Sequence, residues 1–325
     1  MFIIVIVFKV YKNGGIVVTL LLSIVLDVIL PVFILIAVGA FIHRKIGFNL
    51  STLSSLLTYL LLPVVAFTNI YESHVSSSML GSIMSFWVIQ TLVLMGIVHV
   101  ISKFAKFDKG VTATFKNSVV LNNSGNFGLP ISQLVFYGNP VGLSIQIIVM
   151  TLQNLLTYTY GLMNCVSVNA VSFRETVITF LKIPVIYALI LGFILNSLNV
   201  DIPSFLWNPI KSLDNAFLAV ALVTLGAQSA YLKLTKFSLP LTLSVVGRLL
   251  ISPALALLII FILKLDGTVA QGLFIASSFP SSRNSAQFAL EYGTHPEYAA
   301  QAVIMSTMLS SVTVTMVVYL AKVIF

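Results

Sequence analysis

The sequence predicts an all-α integral membrane protein of about ten transmembrane helices, and three observations carry that expectation. First, 58% of the 325 residues are hydrophobic and only 8% are charged, a balance outside that of soluble globular domains. Second, apolar runs of roughly 20 residues, the helical length that crosses ~30 Å of hydrocarbon, recur along the chain. Third, it has none of the alternating ten-residue segments typical of membrane barrels.

Charged and Pro/Gly/Asn-rich breaks place the spans, in order, at roughly 18–42, 50–71, 80–102, 112–137, 142–165, 176–198, 209–231, 238–263, 268–291 and 297–321. The first closes at Arg44 and Lys45, the third at Lys103 to Lys109, and the fifth opens after Asn139 and Pro140. The eighth closes at Lys264 to Asp266, and the tenth opens after Pro296. Residues 1–17, beginning "MFIIVIVF" and interrupted by Lys9, are too short to span and read as an N-terminal extension.

The formal net charge of +8 reflects topology, because the basic residues sit in short loops, and no nucleic-acid partner is expected. Arg44, Lys45, Lys103, Lys106, Lys109, Arg174, Lys233 and Lys236 fall on one side, which the positive-inside bias makes cytoplasmic. Both termini are then extracytoplasmic, with Lys9, Lys12 and Lys322 running against the bias. The single cysteine, Cys165, excludes an internal disulfide, and the four scattered histidines lack metal-ligand spacing. Enzyme motifs and nucleotide-binding loops are absent, so neither catalysis nor a cofactor is expected.

An internal repeat organises the spans. "PVFILIAVGAFI" from Pro31 and "PVIYALILGFIL" from Pro184 both place a glycine eight residues after the proline, at Gly39 and Gly192. Tyr137-Gly138 closing the fourth span matches Tyr292-Gly293 closing the ninth. The halves are residues 18–165 and 176–325, joined by a short cytoplasmic linker at 166–175. Five spans per half make the second half enter the membrane in the opposite sense, an inverted repeat.

The fourth and ninth spans carry helix breakers in their middles. "VVLNNSGNFGLPISQLVFYG" holds Asn122, Asn123, Ser124, Gly125, Asn126, Gly128 and Pro130, and "IASSFPSSRNSAQFALEYG" holds Pro280, Ser281, Ser282, Arg283 and Asn284. Irregular backbone at that depth is tolerated only if buried in protein or lining a wet cavity. Paired broken helices point to a ligand site at the membrane midplane, with half-helix N-termini favouring an anion. Any one of these residues alone reads as interhelical packing; the paired clusters favour a site. Arg283 is costly at that depth and suits a carboxylate, with snorkelling to an interface as its bland role. Gln153, Asn154 and Tyr158 share helical spacings and could face the same cavity, with Gln90, Asn69 and Gln146 weaker candidates. Asp27 is a candidate proton carrier or a first-turn acid, while Asp214 and Glu291 read as structural. Arg248 is a second in-span cation, whose bland role is to anchor carbonyls freed by Pro253.

These residues resemble the auxin efflux carrier family, which includes the plant PIN-formed exporters and many prokaryotic relatives. "NNSGNFGLPI" is similar to the fourth-helix signature, with Asn123 seven residues before Pro130; "LQNLLTYT", "RLLISPA" and "EYGTHPEYAAQAVIMSTMLS" resemble the fifth, eighth and ninth-to-tenth segments. The resemblance runs from about Leu26 to the C-terminus. It implies two inverted five-helix repeats with broken helices 4 and 9 crossing, and secondary transport of a small organic anion in the cell membrane. Asn123 and Pro280 would mark the crossover and Gln153 would face the site. The second crossover departs from the plant carriers, which have Pro-Gln-Gly and no Arg, so auxin selectivity does not carry over. Partners expected are the anion, the lipid bilayer and a second copy of the chain; a ligand-binding membrane sensor is the alternative reading.

Overall fold

The computed structural model describes residues 22–72, 77–166, 184–231 and 238–325. Every regular element among them is a helix. In chain order these are α1 (Ile24–Ile46), α2 (Leu50–Glu72), α3 (Ser78–Phe104), α4a (Lys109–Val120), α4b (Leu129–Val135) and α5 (Pro140–Cys165). They continue as α6 (Pro184–Ser197), α7 (Ser204–Ser229), α8 (Leu239–Ile262), α9a (Gly267–Ser277), α9b (Arg283–Tyr292) and α10 (Pro296–Ile324). Seven of them, α1, α2, α3, α5, α7, α8 and α10, are long and apolar enough to cross a membrane. The protein is therefore a multi-pass membrane protein.

Prolines shape these helices in a repeated way. Wide, π-type turns at Ile24–Ile29, Leu57–Leu61, Ser124–Gly128 and Gly247–Ile251 each end two residues before a proline, at Pro31, Pro63, Pro130 and Pro253. A proline ring clashes with the carbonyl four residues back and has no N–H to give it, so the preceding turn expands. The helix bends without ending.

Two helix pairs are joined through small residues. A Cβ on Gly39 of α1 would lie 2.1 Å from the Val223 carbonyl oxygen of α7, and one on Gly226 of α7 would lie 1.8 Å from that of Ile36. Only glycine lets these backbones approach so closely. Arg44 Nε at the C-terminal end of α1 donates to the Ala230 carbonyl at 2.7 Å, so α1 and α7 run side by side in the same direction. The α2 and α6 pair is built alike: Gly192 of α6 faces the Phe67 carbonyl at 2.9 Å, and Asn196 Nδ2 donates to the Tyr71 carbonyl at 2.7 Å.

Two boundaries differ from the sequence expectation. The first helix runs on to Ile46, where Gly47 turns left-handed at φ 71°, because Arg44 still packs against α7. The seventh begins at Ser204 rather than near 209, because Pro209 lies inside the helix and does not open it. The extension 1–17 and all but the first residue of the linker 166–175 lie outside the described residues.

Candidate functional site

α4a is started by Asp108, whose side chain accepts from Val111 N at 2.9 Å. That bond, first among its causes, holds the Asp108 carboxyl below the ordinary aspartate range, since it favours the charged form. The helix stops where Leu121 turns extended, at φ −89° and ψ 116°, and it resumes through the wide turn Ser124–Gly128 into α4b, which has Pro130 in its first turn. α9a ends at Ser277, and α9b opens with Ser282 Oγ accepting from Asn284 N at 3.2 Å.

The two breaks are stitched together. Asn123 N donates to the Pro280 carbonyl and Ser282 N donates to the Leu121 carbonyl, both at 2.8 Å, with Asn122 opposite Ser281 in an antiparallel bridge. Each break thus supplies the partners that the other's interrupted helix lacks, which is how unwound backbone survives away from water. Side chains complete the exchange. Asn122 Nδ2 donates to the Ala276 carbonyl at 3.1 Å, Ser281 Oγ to Ser118 O at 2.6 Å, and Gln146 Nε2 to Ser124 O at 2.9 Å. Gly128 is required here, because a Cβ would fall 2.5 Å from the Phe279 ring, which meets Phe127 edge-on at 6.2 Å.

Arg248 binds the two half-helices from behind. The residue is 2% exposed; its guanidinium donates to Val119 O at 2.8 Å and also to Ser277 O and Ser252 Oγ. Val119 and Ser277 lie at the C-terminal ends of α4a and α9a. One cation therefore sits at two converging negative dipole ends. The expected role for Arg248, anchoring carbonyls freed by Pro253, is corrected: the carbonyls it holds belong to the two crossing helices.

On the other face of the crossing lies a cavity of about 330 Å³. Asn122, Asn123, Gly125 and Asn126 line it from the first break, Gln153 from α5, and Ser282, Arg283 and Asn284 from the second. Asn123 Nδ2 is buried there without a hydrogen-bond partner. Gln153 Nε2 donates to Val120 O at 3.4 Å. Among the described residues no acid lines this space. Pro280 and Ser281 support it from behind, and Gly128 and Pro130 lie past it in the chain.

Asp27 is elsewhere, exposed on the wide turn of α1. Sequence reading missed Ser51, Ser54, Ser55 and Thr58 of α2, which line the cavity opposite the breaks. Their spacing of three and four residues was the available signal, a hydroxyl stripe down one helix face. The side chains of Tyr158 and Glu291 lie outside the described residues.

Residues 24–318 match a family model described as membrane transport protein. The chain belongs to that family, the auxin efflux carriers and their PIN-like relatives. No curated protein matches the chain. Membership extends over α1 to nearly the end of α10, so both breaks and the cavity fall inside the membrane transport protein region.

Proposed function

We propose that this membrane transport protein is a secondary carrier of a small organic anion, held where α4 and α9 cross. The observation that carries the reading is the cavity itself: amides, hydroxyls and Arg283, with the unpartnered Asn123 Nδ2 and the N-terminus of α9b beside them, and no lining acid among the described residues. Donors that surround a pocket without acids select a carboxylate over a cation. Asn123, Asn126 and Arg283 are the groups assigned to it.

Alternating access is supported by what lies along α2 and α5. The cavity reaches Ser51 in the first turn of α2, while a second vestibule of about 450 Å³ reaches Glu72 at its far end. Between them Leu61, Val65, Leu129, Ile147 and Phe217 form a buried apolar plug. The cavity is on the side of the Arg44 and Lys45 loop, which makes this an inward-open arrangement by the positive-inside bias. Two inverted halves are supported by the matching pairs, α1 with α7 and α6 with α2, each with a glycine contact and a bond between C-terminal ends. Such halves exchange access by rocking about a fixed site.

The test is solid-supported-membrane electrophysiology on proteoliposomes presented in turn with malate, malonate and indole-3-acetate, with radiolabelled flux alongside. A saturable response to one acid is expected, lost in Asn123→Ala while the variant stays folded. Binding without flux for every acid would instead favour a sensor.

A further inference from the structure

The outer vestibule contains charge that the anion cavity does not use. Lys211 Nζ of α7 is shared by two carboxylates, Glu72 Oε2 at 2.9 Å and Asp214 Oδ2 at 3.2 Å, and lies 5.5 Å from the Trp207 ring centre. The acids are not equivalent. The Glu72 side chain is 35% exposed, whereas that of Asp214 is 11% exposed and its Oδ1 is buried with no hydrogen-bond partner. Thr68 of α2 neighbours this carboxylate, but its hydroxyl donates to Val65 O at 3.1 Å. Across the vestibule on α4b, Gln133 Oε1 is likewise buried and unpartnered.

The inventory is one cation, two carboxylates, and buried acceptor oxygens that lack a donor. We propose that Asp214 is the proton-binding group of this carrier, taking up a proton from the outer vestibule. Protonation converts the orphaned acceptor into an O–H donor, for which the oxygen of the neighbouring Thr68 hydroxyl is an acceptor. It also leaves Lys211 to Glu72 alone, so that the cluster becomes neutral. A metal ion fits worse, because the Lys211 ammonium already occupies the carboxylate and only two buried oxygens remain unpartnered.

The helices packed on α7 here add little competing charge. α2 brings Glu72, α4b carries no titratable residue, and Asp27 of α1 is exposed and does not line the vestibule. Tyr137 in the turn before α5 also lines it, 91% exposed. Because α4b continues the chain directly from the break that carries part of the proposed anion site, and α7 belongs to the pair facing it, a proton between them can bias which way the carrier faces. That coupling rests on the carrier reading; the protonation itself does not.

The experiment is a pH titration of the purified full chain in lipid, followed by infrared difference spectroscopy of the protonated-carboxyl stretch. The expected result is a buried-carboxyl band that grows on acidification and is lost in Asp214→Asn. In Glu72→Gln, Lys211 serves Asp214 alone and a neighbouring negative charge is gone, so the midpoint should move to lower pH. A band unchanged in Asp214→Asn, or a midpoint unmoved in Glu72→Gln, would overturn the assignment, as would a band responding to sodium and not to pH. Anion flux is measured on the same wild-type sample: its absence would sink the carrier reading and leave the Asp214 titration to be judged by the spectra.

Discussion

Replacing Arg248 by lysine keeps the charge and removes the fork. The guanidinium reaches Val119 O at 2.8 Å, and also Ser277 O and Ser252 Oγ, on three separate helices. A lysine ammonium is a compact point donor and cannot span carbonyls on two different helices. The variant must leave at least one end carbonyl without its charged partner, a loss of about 1.5–3 kcal/mol for a hydrogen bond to a charged group. Ser277 O retains the Ser252 hydroxyl at 3.0 Å, so Val119 O bears most of the loss. The buried charge meanwhile keeps its full desolvation cost. Arg248→Met abandons the bonds but also that cost, and should therefore be no worse than Arg248→Lys. The assay is thermal unfolding of the two variants in one detergent, where the lysine variant should melt roughly 3–9 °C below wild type. A lysine variant as stable as wild type would show that a point charge suffices, and would refute the idea that the fork ties α4a to α9a.

Gly128→Ala should destabilise by about 1–3 kcal/mol, the usual range for overpacking, because its Cβ would press on the buried Phe279 ring; a second change, Phe279→Leu, should recover much of the loss in the same melt. Asp108→Ala removes a helix N-cap and should cost about 1 kcal/mol at neutral pH. Its folded carboxyl titrates below its unfolded value, so the wild-type advantage is present above the ordinary aspartate range and is lost as pH falls through the folded value. Melting temperatures of wild type and variant that fail to converge on acidification would contradict this.

The breaks were legible because their signal is local: three asparagines within five residues, followed by Gly128 and Pro130, are poor helix formers, and the helix is interrupted at Leu121 to Asn123, where that cluster begins. The glycine offset from Pro31 to Gly39 and from Pro184 to Gly192 likewise pointed to residues that later proved to be backbone contacts. Long-range geometry was not legible. Arg248 lies 129 residues from Val119 and 29 from Ser277, and no spacing rule connects them. Nor does composition separate Asn122, committed to Ala276 O, from Asn123, whose Nδ2 is unpartnered. Asp214 read as structural because it falls near the end of a span that the sequence places at roughly 209–231. With α7 starting at Ser204, the acid falls deeper, and its burial became visible only in three dimensions.

The mutual stitching of the breaks also sets a schedule for synthesis. Ser281, whose hydroxyl bonds Ser118 O, is made 163 residues after it. At roughly 5–20 residues per second, the first break waits on the order of 10–30 s for the strand that satisfies it. Throughout that interval Leu121 to Asn123 sit in a nascent bundle with polar backbone that only water, the insertion machinery or a chaperone can cover. The first half of this chain is thus a debtor to the second from the moment it leaves the ribosome, and truncations that end before α9 should be recognised by the cell as unfinished protein.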